Sequence, residues 1–190
     1  MEYRGSLRTD IMSAPKVITI FGNARVGENR KEYLDAVELG KLLAQSGFVV
    51  CNGGYGGIME ASAKGAKSYG GKTIGVTVQT FTRMPNHFLD EIIPKPNLLE
   101  RLQKLIELGD AYVVYKGGTG TLVELALSWE YMNKGLMKEK PIIIIGNFWK
   151  PVVKTLKNEL AWEGLENCTK YITQLASPAE CINLLQQKFR

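Results

Sequence analysis

Residues 116–124, which read KGGTGTLVE, combine glycines, hydroxyl groups and a carboxylate in a pattern suited to nucleotide chemistry. The run follows an apolar segment typical of a buried strand and opens a segment typical of a helix. Glycines at such a junction let the backbone approach a ligand closely, and the free N–H groups of the new helix attract anions. The sequence therefore predicts a phosphate cradle. Its members are Gly117, Gly118, Thr119, Gly120 and Thr121.

The carboxylate of this run, Glu124, falls one turn into the predicted helix. A negative charge beside a phosphate cradle is badly placed to bind the phosphate itself. It is well placed to act on the group that carries the phosphate, such as a ribose. The alternative is that Glu124 stabilises the amino end of its own helix, an effect of about 0.3–1 kcal/mol.

Apolar segments alternate with amphipathic ones along the whole chain. Strands are predicted at residues 17–21, 48–51, 72–78, 111–115, 141–146 and, as a short edge strand, 171–173. Helices are predicted at residues 31–46, 58–68, 98–108, 121–132, 149–159 and 178–189. This alternation predicts a single α/β domain: a doubly wound parallel sheet with helices on both faces.

Ligands of doubly wound sheets bind beyond the carboxyl ends of the strands. Three glycine-bearing turns follow predicted strands, and we expect them to converge on one nucleotide site. Besides the cradle, they contribute Gly22 and Asn23 from the first turn and Gly53, Gly54 and Gly57 from the second. Residues 79–96 form the one long irregular stretch, whose three prolines predict an ordered excursion or lid over the site.

Composition limits the choice of partners. The 190 residues carry a net charge of +5, which attracts anionic small molecules, but the basic residues are too scattered for nucleic-acid binding. Three cysteines without CxxC spacing indicate reduced thiols and a cytoplasmic location. No apolar run of about 18 residues predicts a membrane span. Residues 1–15, which lack an apolar signal segment, are expected to be a flexible leader, and residues 16–190 the nucleotide-binding domain.

Familiar nucleotide and catalytic motifs are absent. The first turn spaces Gly22 and Gly27 like a P-loop but lacks the lysine and hydroxyl residue that must follow. Val123 stands where the third glycine of a GxGxxG dinucleotide motif belongs. His87, the single histidine, falls in the irregular stretch, which argues against Ser-His or Cys-His catalysis. No residues have metal-ligand spacing, so we expect neither a metal nor another cofactor.

Four segments, KGGTGTLVE at residues 116–124, NGGYGGIM at residues 52–59, FGNA at residues 21–24 and Glu100-Arg101, together resemble motifs of the Lonely Guy family of cytokinin-activating phosphoribohydrolases. KGGTGTLVE is similar to the family signature PGGxGTxxE, and NGGYGGIM at residues 52–59 is similar to its turn GGGxxGLM. FGNA at residues 21–24 is similar to the turn FCGSS, and Glu100-Arg101 mirrors the ERK segment. The resemblance covers roughly residues 16–146.

The resemblance implies a Rossmann-like fold, a homodimer or higher homo-oligomer, and hydrolysis of a nucleoside 5′-monophosphate. Such a reaction cleaves the N-glycosidic bond and releases the base and ribose 5-phosphate. Carried over residue by residue, the family's catalytic pair becomes Arg101 and Glu124. For Arg101 the alternative is a solvated helix residue. Tyr55 and Met59 either line the base pocket or pack in the interior.

The chain departs from the family pattern at several positions, which indicates a divergent branch. Lys116 replaces the signature proline, Leu102 the lysine of ERK, Asn52 a glycine, and Asn23-Ala24 a serine pair. The wider superfamily includes nucleotide sensors and a molybdenum-cofactor carrier. A carrier or sensor that binds a phosphorylated nucleotide or a molybdenum-cofactor-like ligand without chemistry is therefore the alternative function.

Overall fold

A computed structural model describes residues 14–189, so nearly all of the expected leader, residues 1–15, lies outside the described part. The strands are β1 Val17–Phe21, β2 Val49–Asn52, β3 Thr73–Val78, β4 Glu91–Lys95, β5 Ala111–Val114, β6 Ile142–Ile145 and β7 Ile172–Leu175. The helices are α1 Lys31–Gln45, α2 Ile58–Lys67, α3 Leu98–Leu108, α4 Thr119–Asn133, α5 Lys150–Trp162 and α6 Pro178–Phe189. A short 3-10 turn, Glu166–Thr169, precedes β7.

The seven strands form one parallel sheet in the order β4-β3-β2-β1-β5-β6-β7. The inner strands are continuous apolar runs because both of their faces are covered. Helices α1, α2 and α6 pack on one face, and α3, α4 and α5 on the other. The predicted doubly wound α/β fold is confirmed.

One part of the sequence prediction is wrong. Residues 79–96 are not irregular throughout, because they contain β4, which pairs in parallel with β3 along five residues. The strand was missed because it lies at the sheet edge, exposes most of its side chains and contains Pro94. Proline is tolerated at an edge because the missing N–H faces away from the partner strand.

The order in which successive strands are added to the sheet reverses between β1 and β5, which lie side by side and parallel at its centre. From β1 the strands progress outward through β2, β3 and β4, whereas β5 starts the other half. The loops after β1 and β5 therefore separate above the sheet and leave a crevice between them. Within residues 14–189 no helix is long and apolar enough to cross a bilayer.

Candidate active site

The three glycine-bearing turns do meet at the carboxyl edge of the sheet, as the sequence predicted. The backbone N–H of Asn23, in the first turn, donates to the Lys116 carbonyl at 3.1 Å. The carbonyl of Asn23 accepts from the N–H of Ile58, at the start of α2, at 2.9 Å. Backbone hydrogen bonds thus tie the turns after β1, β2 and β5 into one unit.

A cavity of about 860 Å³ lies at this edge, within the usual size range of small-molecule sites. Its lining comes from the three turns, from α3 and α4, and from the segment that follows β3. The residues are Ile20, Phe21, Gly22, Asn23, Ala24, Arg25, Gly53, Tyr55, Met59, Thr80, Phe81, Thr82, Arg83, Leu98, Arg101, Gly118, Thr119, Gly120, Thr121 and Glu124. The expected excursion over the site therefore corresponds to residues 80–83.

The amino end of α4 opens into the cavity without a side-chain cap. The N–H of Leu122 is bonded within the helix, to the carbonyl of Gly118 at 3.0 Å. The N–H groups of Thr119, Gly120 and Thr121 precede the first such bond and have no helical acceptor. Three backbone donors and the positive helix dipole thus face the cavity, which is the arrangement that binds phosphate.

Three of the predicted nucleotide-binding glycines, Gly54, Gly57 and Gly117, lie outside the cavity lining. Gly54 has a φ of +80°, and its N–H already donates to the Asn52 side chain at 2.8 Å. Gly57 has a φ of +66°, and a Cβ there would lie 2.1 Å from the Asn23 carbonyl oxygen. A Cβ at Gly117 would collide with the Thr121 hydroxyl. These glycines shape the turns that present the lining residues.

Arg101 is buried in α3, with 7% of its surface exposed. Its Nε donates to the Val76 carbonyl at 2.8 Å and its Nη2 to the Gly53 carbonyl at 3.3 Å. The third nitrogen, Nη1, lies 3.8 Å from Oε1 of Glu124. A carbonyl of β3 and one just after β2 therefore fix the guanidinium so that one nitrogen faces the carboxylate.

Glu124 is buried in the second turn of α4, with 9% of its surface exposed. Burial raises the pKa of its carboxyl group to about 7, and the nearby Arg101 charge opposes that rise without cancelling it. A gap of 3.8 Å exceeds the 2.7–2.9 Å or so of a charge-assisted hydrogen bond. The carboxyl group consequently keeps its capacity to bind a ligand and exchanges its proton near neutral pH.

The cavity also contains residues that sequence reasoning missed or left open. Tyr55 and Met59 both line it, and the Tyr55 hydroxyl accepts from the Val78 N–H at 2.9 Å. The Phe81 ring lies 5.8 Å from the Tyr55 ring, between centroids. Arg25 and Arg83 were not predicted to line the site, because a single arginine in a loop forms no recognisable sequence motif.

Several positions singled out in the sequence lie away from the cavity lining. Lys116 points to the side, where its Nζ lies 3.8 Å from Glu32 and 5.6 Å from the Phe148 ring centroid. Leu102 is buried in the interior. His87 is exposed and lines neither this cavity nor the smaller second cavity described below. In the described part of the chain, no three His, Cys, Asp or Glu residues gather as metal ligands.

Comparison with known proteins identifies a family to which the chain is similar. The sequence profile of the SLOG cluster4 family matches residues 15–181. The chain is 28% identical over 152 residues to a cytokinin riboside 5′-monophosphate phosphoribohydrolase of Rhodococcoides fascians, covering 76% of this chain and 75% of that one. It is 34% identical over 113 residues to the enzyme of the same name from Mycobacterium tuberculosis, covering 58% and 60%.

Among solved structures, the chain is similar to the molybdenum cofactor binding protein of the phototrophic bacterium Rippkaea orientalis. The two share 25% sequence identity and superpose with a TM-score of 0.73, which covers 94% of this chain and 99% of the other. The fold of the described residues is thus common to enzymes and to a ligand-binding protein, so the fold alone does not decide between them.

Proposed function

The chain belongs to the SLOG cluster4 family, as its resemblance to the Lonely Guy proteins led us to expect, and we propose that it is a nucleoside 5′-monophosphate phosphoribohydrolase. The observation that carries the proposal is the buried contact of 3.8 Å between Arg101 and Glu124, beside an uncapped helix end in one cavity. A pure binding protein needs the helix end. It has no need of a buried carboxyl group that titrates near neutral pH.

In the proposed complex, the 5′-phosphate rests on the N–H groups of Thr119, Gly120 and Thr121. Gly53, Gly22 and Asn23 complete that end of the cavity. The ribose then lies over Glu124, one helical turn further along α4. The base extends toward the apolar side chains of Tyr55, Met59, Phe81 and Leu98.

The reaction consumes one water molecule. As the bond between C1′ and the base nitrogen breaks, positive charge develops on the ribose, and a carboxylate beneath the ring stabilises it. Glu124 accepts a proton from the attacking water, whose oxygen bonds to C1′, and the proton passes to the departing base. Arg101 orients the carboxylate and attracts the phosphate. Catalysis of this type contributes about 10²–10⁴-fold to the rate.

The test is the substitution Glu124→Gln, which keeps the side-chain volume and removes the carboxylate. The purified variant is incubated with AMP and with N6-substituted AMPs, and the released base is quantified by chromatography. We expect the rate to fall at least about 100-fold while the dissociation constant for AMP changes little, because the phosphate cradle is intact.

The matched control is Glu130→Gln, which changes an exposed glutamate of the same helix that lies outside the cavity. It should hydrolyse AMP at the rate of the parent protein. The assignment of Glu124 fails if Glu124→Gln releases base as fast as Glu130→Gln. The proposed activity fails if the parent protein binds these nucleotides and releases no base from any of them.

The second candidate is a carrier or sensor of a phosphorylated nucleotide or a molybdenum-cofactor-like ligand. The similarity to the Rippkaea orientalis protein over more than 90% of both chains favours it. The same uncapped helix end would serve such a ligand equally well. The chromatographic assay separates the two candidates, because a carrier returns its ligand unaltered.

A further inference from the structure

A second cavity, of about 440 Å³, adjoins the first. Four residues line both cavities and so form their common boundary: Ala24, Arg25, Tyr55 and Arg83. Four others line the second cavity alone: Gly56, Glu60, Met84 and Asn86. A ligand larger than a nucleoside monophosphate can therefore extend from the first cavity across this boundary.

Two of the boundary residues are arginines on different loops. Arg25 belongs to the turn after β1, and Arg83 to the segment between β3 and β4. Both are exposed, and neither forms an ion pair with any of residues 14–189. Nearby lysines differ in this respect, since Lys64 pairs with Glu28 at 3.3 Å and Lys116 with Glu32 at 3.8 Å. Guanidinium groups left free at a cavity boundary are suited to a carboxylate or phosphate, which they bind in bidentate fashion.

The helix end that is suited to the 5′-phosphate lines the first cavity and not the second. A 5′-phosphate bound there leaves the charges of Arg25 and Arg83 without a counter-ion. Resting on the proposed function, we propose that Arg25 and Arg83 bind a second anionic group of the ligand. The ligand class is a nucleoside monophosphate that carries a further phosphate or carboxylate on its ribose or its base.

The second cavity also contains one carboxylate, Glu60, whose Oε1 accepts a hydrogen bond from the Tyr33 hydroxyl at 3.2 Å. This bond holds Glu60 against α1. The two positively charged arginines outnumber this single carboxylate. The remaining residues that line the second cavity are uncharged. The net charge of the second cavity and its boundary is thus positive, which favours an anion.

The experiment compares three probes by isothermal titration calorimetry. AMP carries one anionic group, adenosine 3′,5′-bisphosphate adds a phosphate on the ribose, and N6-succinyl-AMP adds carboxylates on the base. We expect one of the two extended probes to bind the parent protein at least about 10-fold more tightly than AMP. Which probe shows the preference identifies the position of the second anionic group.

The double substitution Arg25→Gln and Arg83→Gln should reduce this affinity ratio to nearly one. Arg30→Gln is the matched control, because Arg30 is exposed, lies on the same loop as Arg25 and lines neither cavity. It should retain the ratio. Thermal unfolding followed by circular dichroism verifies that each variant is folded.

The proposal is overturned if no extended probe binds more tightly than AMP, including the case in which none binds. It is equally overturned if the double variant keeps the preference or if Arg30→Gln loses it to the same degree. The proposed hydrolysis is judged separately, by release of base from AMP. A protein with an arginine-dependent preference that releases no base retains the second anion site and loses the assignment as a phosphoribohydrolase.

Discussion

At the scale of single residues, the site depends on two opposing effects on Glu124. Burial disfavours its charged form, and the Arg101 guanidinium favours it. The structure shows that burial has the larger effect, because Arg101 approaches no closer than 3.8 Å and donates its two other nitrogens to backbone carbonyls.

The pH dependence of the reaction follows from the raised pKa of about 7. If the carboxylate form accepts the proton from water, kcat/KM rises about tenfold per pH unit below pH 7 and levels off above it. We expect this acidic limb in AMP hydrolysis measured from pH 5 to pH 9. A limb with an apparent pKa near 4.5, the ordinary value, would show that burial does not control Glu124 in the free enzyme.

The same raised pKa predicts a change in stability. The folded state binds the Glu124 proton more tightly than the unfolded state does, so the parent protein loses stability as the pH rises from about 4.5 to about 7. Glu124→Gln has no such proton to lose. Its free energy of unfolding relative to the parent should therefore increase by an amount on the order of 2 kcal/mol between pH 5 and pH 8.

Urea denaturation of both proteins at the two pH values measures this difference. Glu130→Gln again serves as the control, because its side chain is exposed and its stability difference from the parent should not depend on pH in this range. A relative stability of Glu124→Gln that stays constant, or falls, between pH 5 and pH 8 would contradict the raised pKa.

At the scale of elements, the sequence predicts best where local capping chemistry is strong. The bounds of α3 agree with the prediction. At its amino end the Asn97 side-chain oxygen accepts from the Glu100 N–H at 3.0 Å, and the Asn97 side-chain amide donates to Glu100 Oε1 at 2.9 Å. Asparagine is among the preferred N-cap residues, so the sequence displays this helix start directly. By contrast, α4 begins two residues earlier than expected, at Thr119, because no side chain marks its first turn.

Within the site, the glycine runs predict a phosphate cradle, because glycine by itself leaves the backbone accessible to a ligand. The boundary arginines and Phe81 could not be predicted, since the packing of separate loops brings them to the cavity. Arg25 and Arg83 are 58 positions apart, and no periodic pattern connects them. Local sequence motifs therefore identify the catalytic residues better than they identify the residues that determine ligand specificity.

In the turn after β2, Gly53 lies directly against the Arg101 side chain. A Cβ added at Gly53 would lie 1.7 Å from Nη2 of Arg101 and 2.7 Å from Sδ of Met59. Gly53→Ala must therefore displace the guanidinium from its position beside Glu124. A misplacement of about 1 Å can reduce a rate by about 100-fold, and we expect a loss of kcat of that order.

Gly27→Ala provides the comparison for this variant. Gly27 also lies in a loop at the carboxyl edge of the sheet, but no atom lies within 4 Å of the added Cβ. It should keep the kcat of the parent protein for AMP. If Gly53→Ala and Gly27→Ala are equally active, the position of the Arg101 guanidinium does not limit the reaction.

At the scale of the whole molecule, the cavity is flanked by apolar side chains that nothing in the described chain covers. Leu98 and Leu99 begin α3, with 49% and 74% of their surfaces exposed, and Leu122 and Val123 lie near the amino end of α4. Helix α4 is apolar on its exposed side as well as its buried side, which is typical of a helix enclosed on both sides. Apolar residues clustered beside a cavity commonly mark an interface.

In the homodimer implied by the Lonely Guy resemblance, a second copy of the chain would cover these apolar residues. We expect the parent protein to sediment at twice its mass of 21.1 kDa and Leu99→Glu to sediment as a single chain, because a charge buried at an apolar contact strongly opposes association. Leu136→Glu changes a leucine of similar exposure beyond the carboxyl end of α4 and should remain dimeric. Sedimentation velocity at micromolar concentration distinguishes the three. A parent protein that sediments as one chain, or a Leu99→Glu variant that remains dimeric, would show that this apolar rim is not the interface.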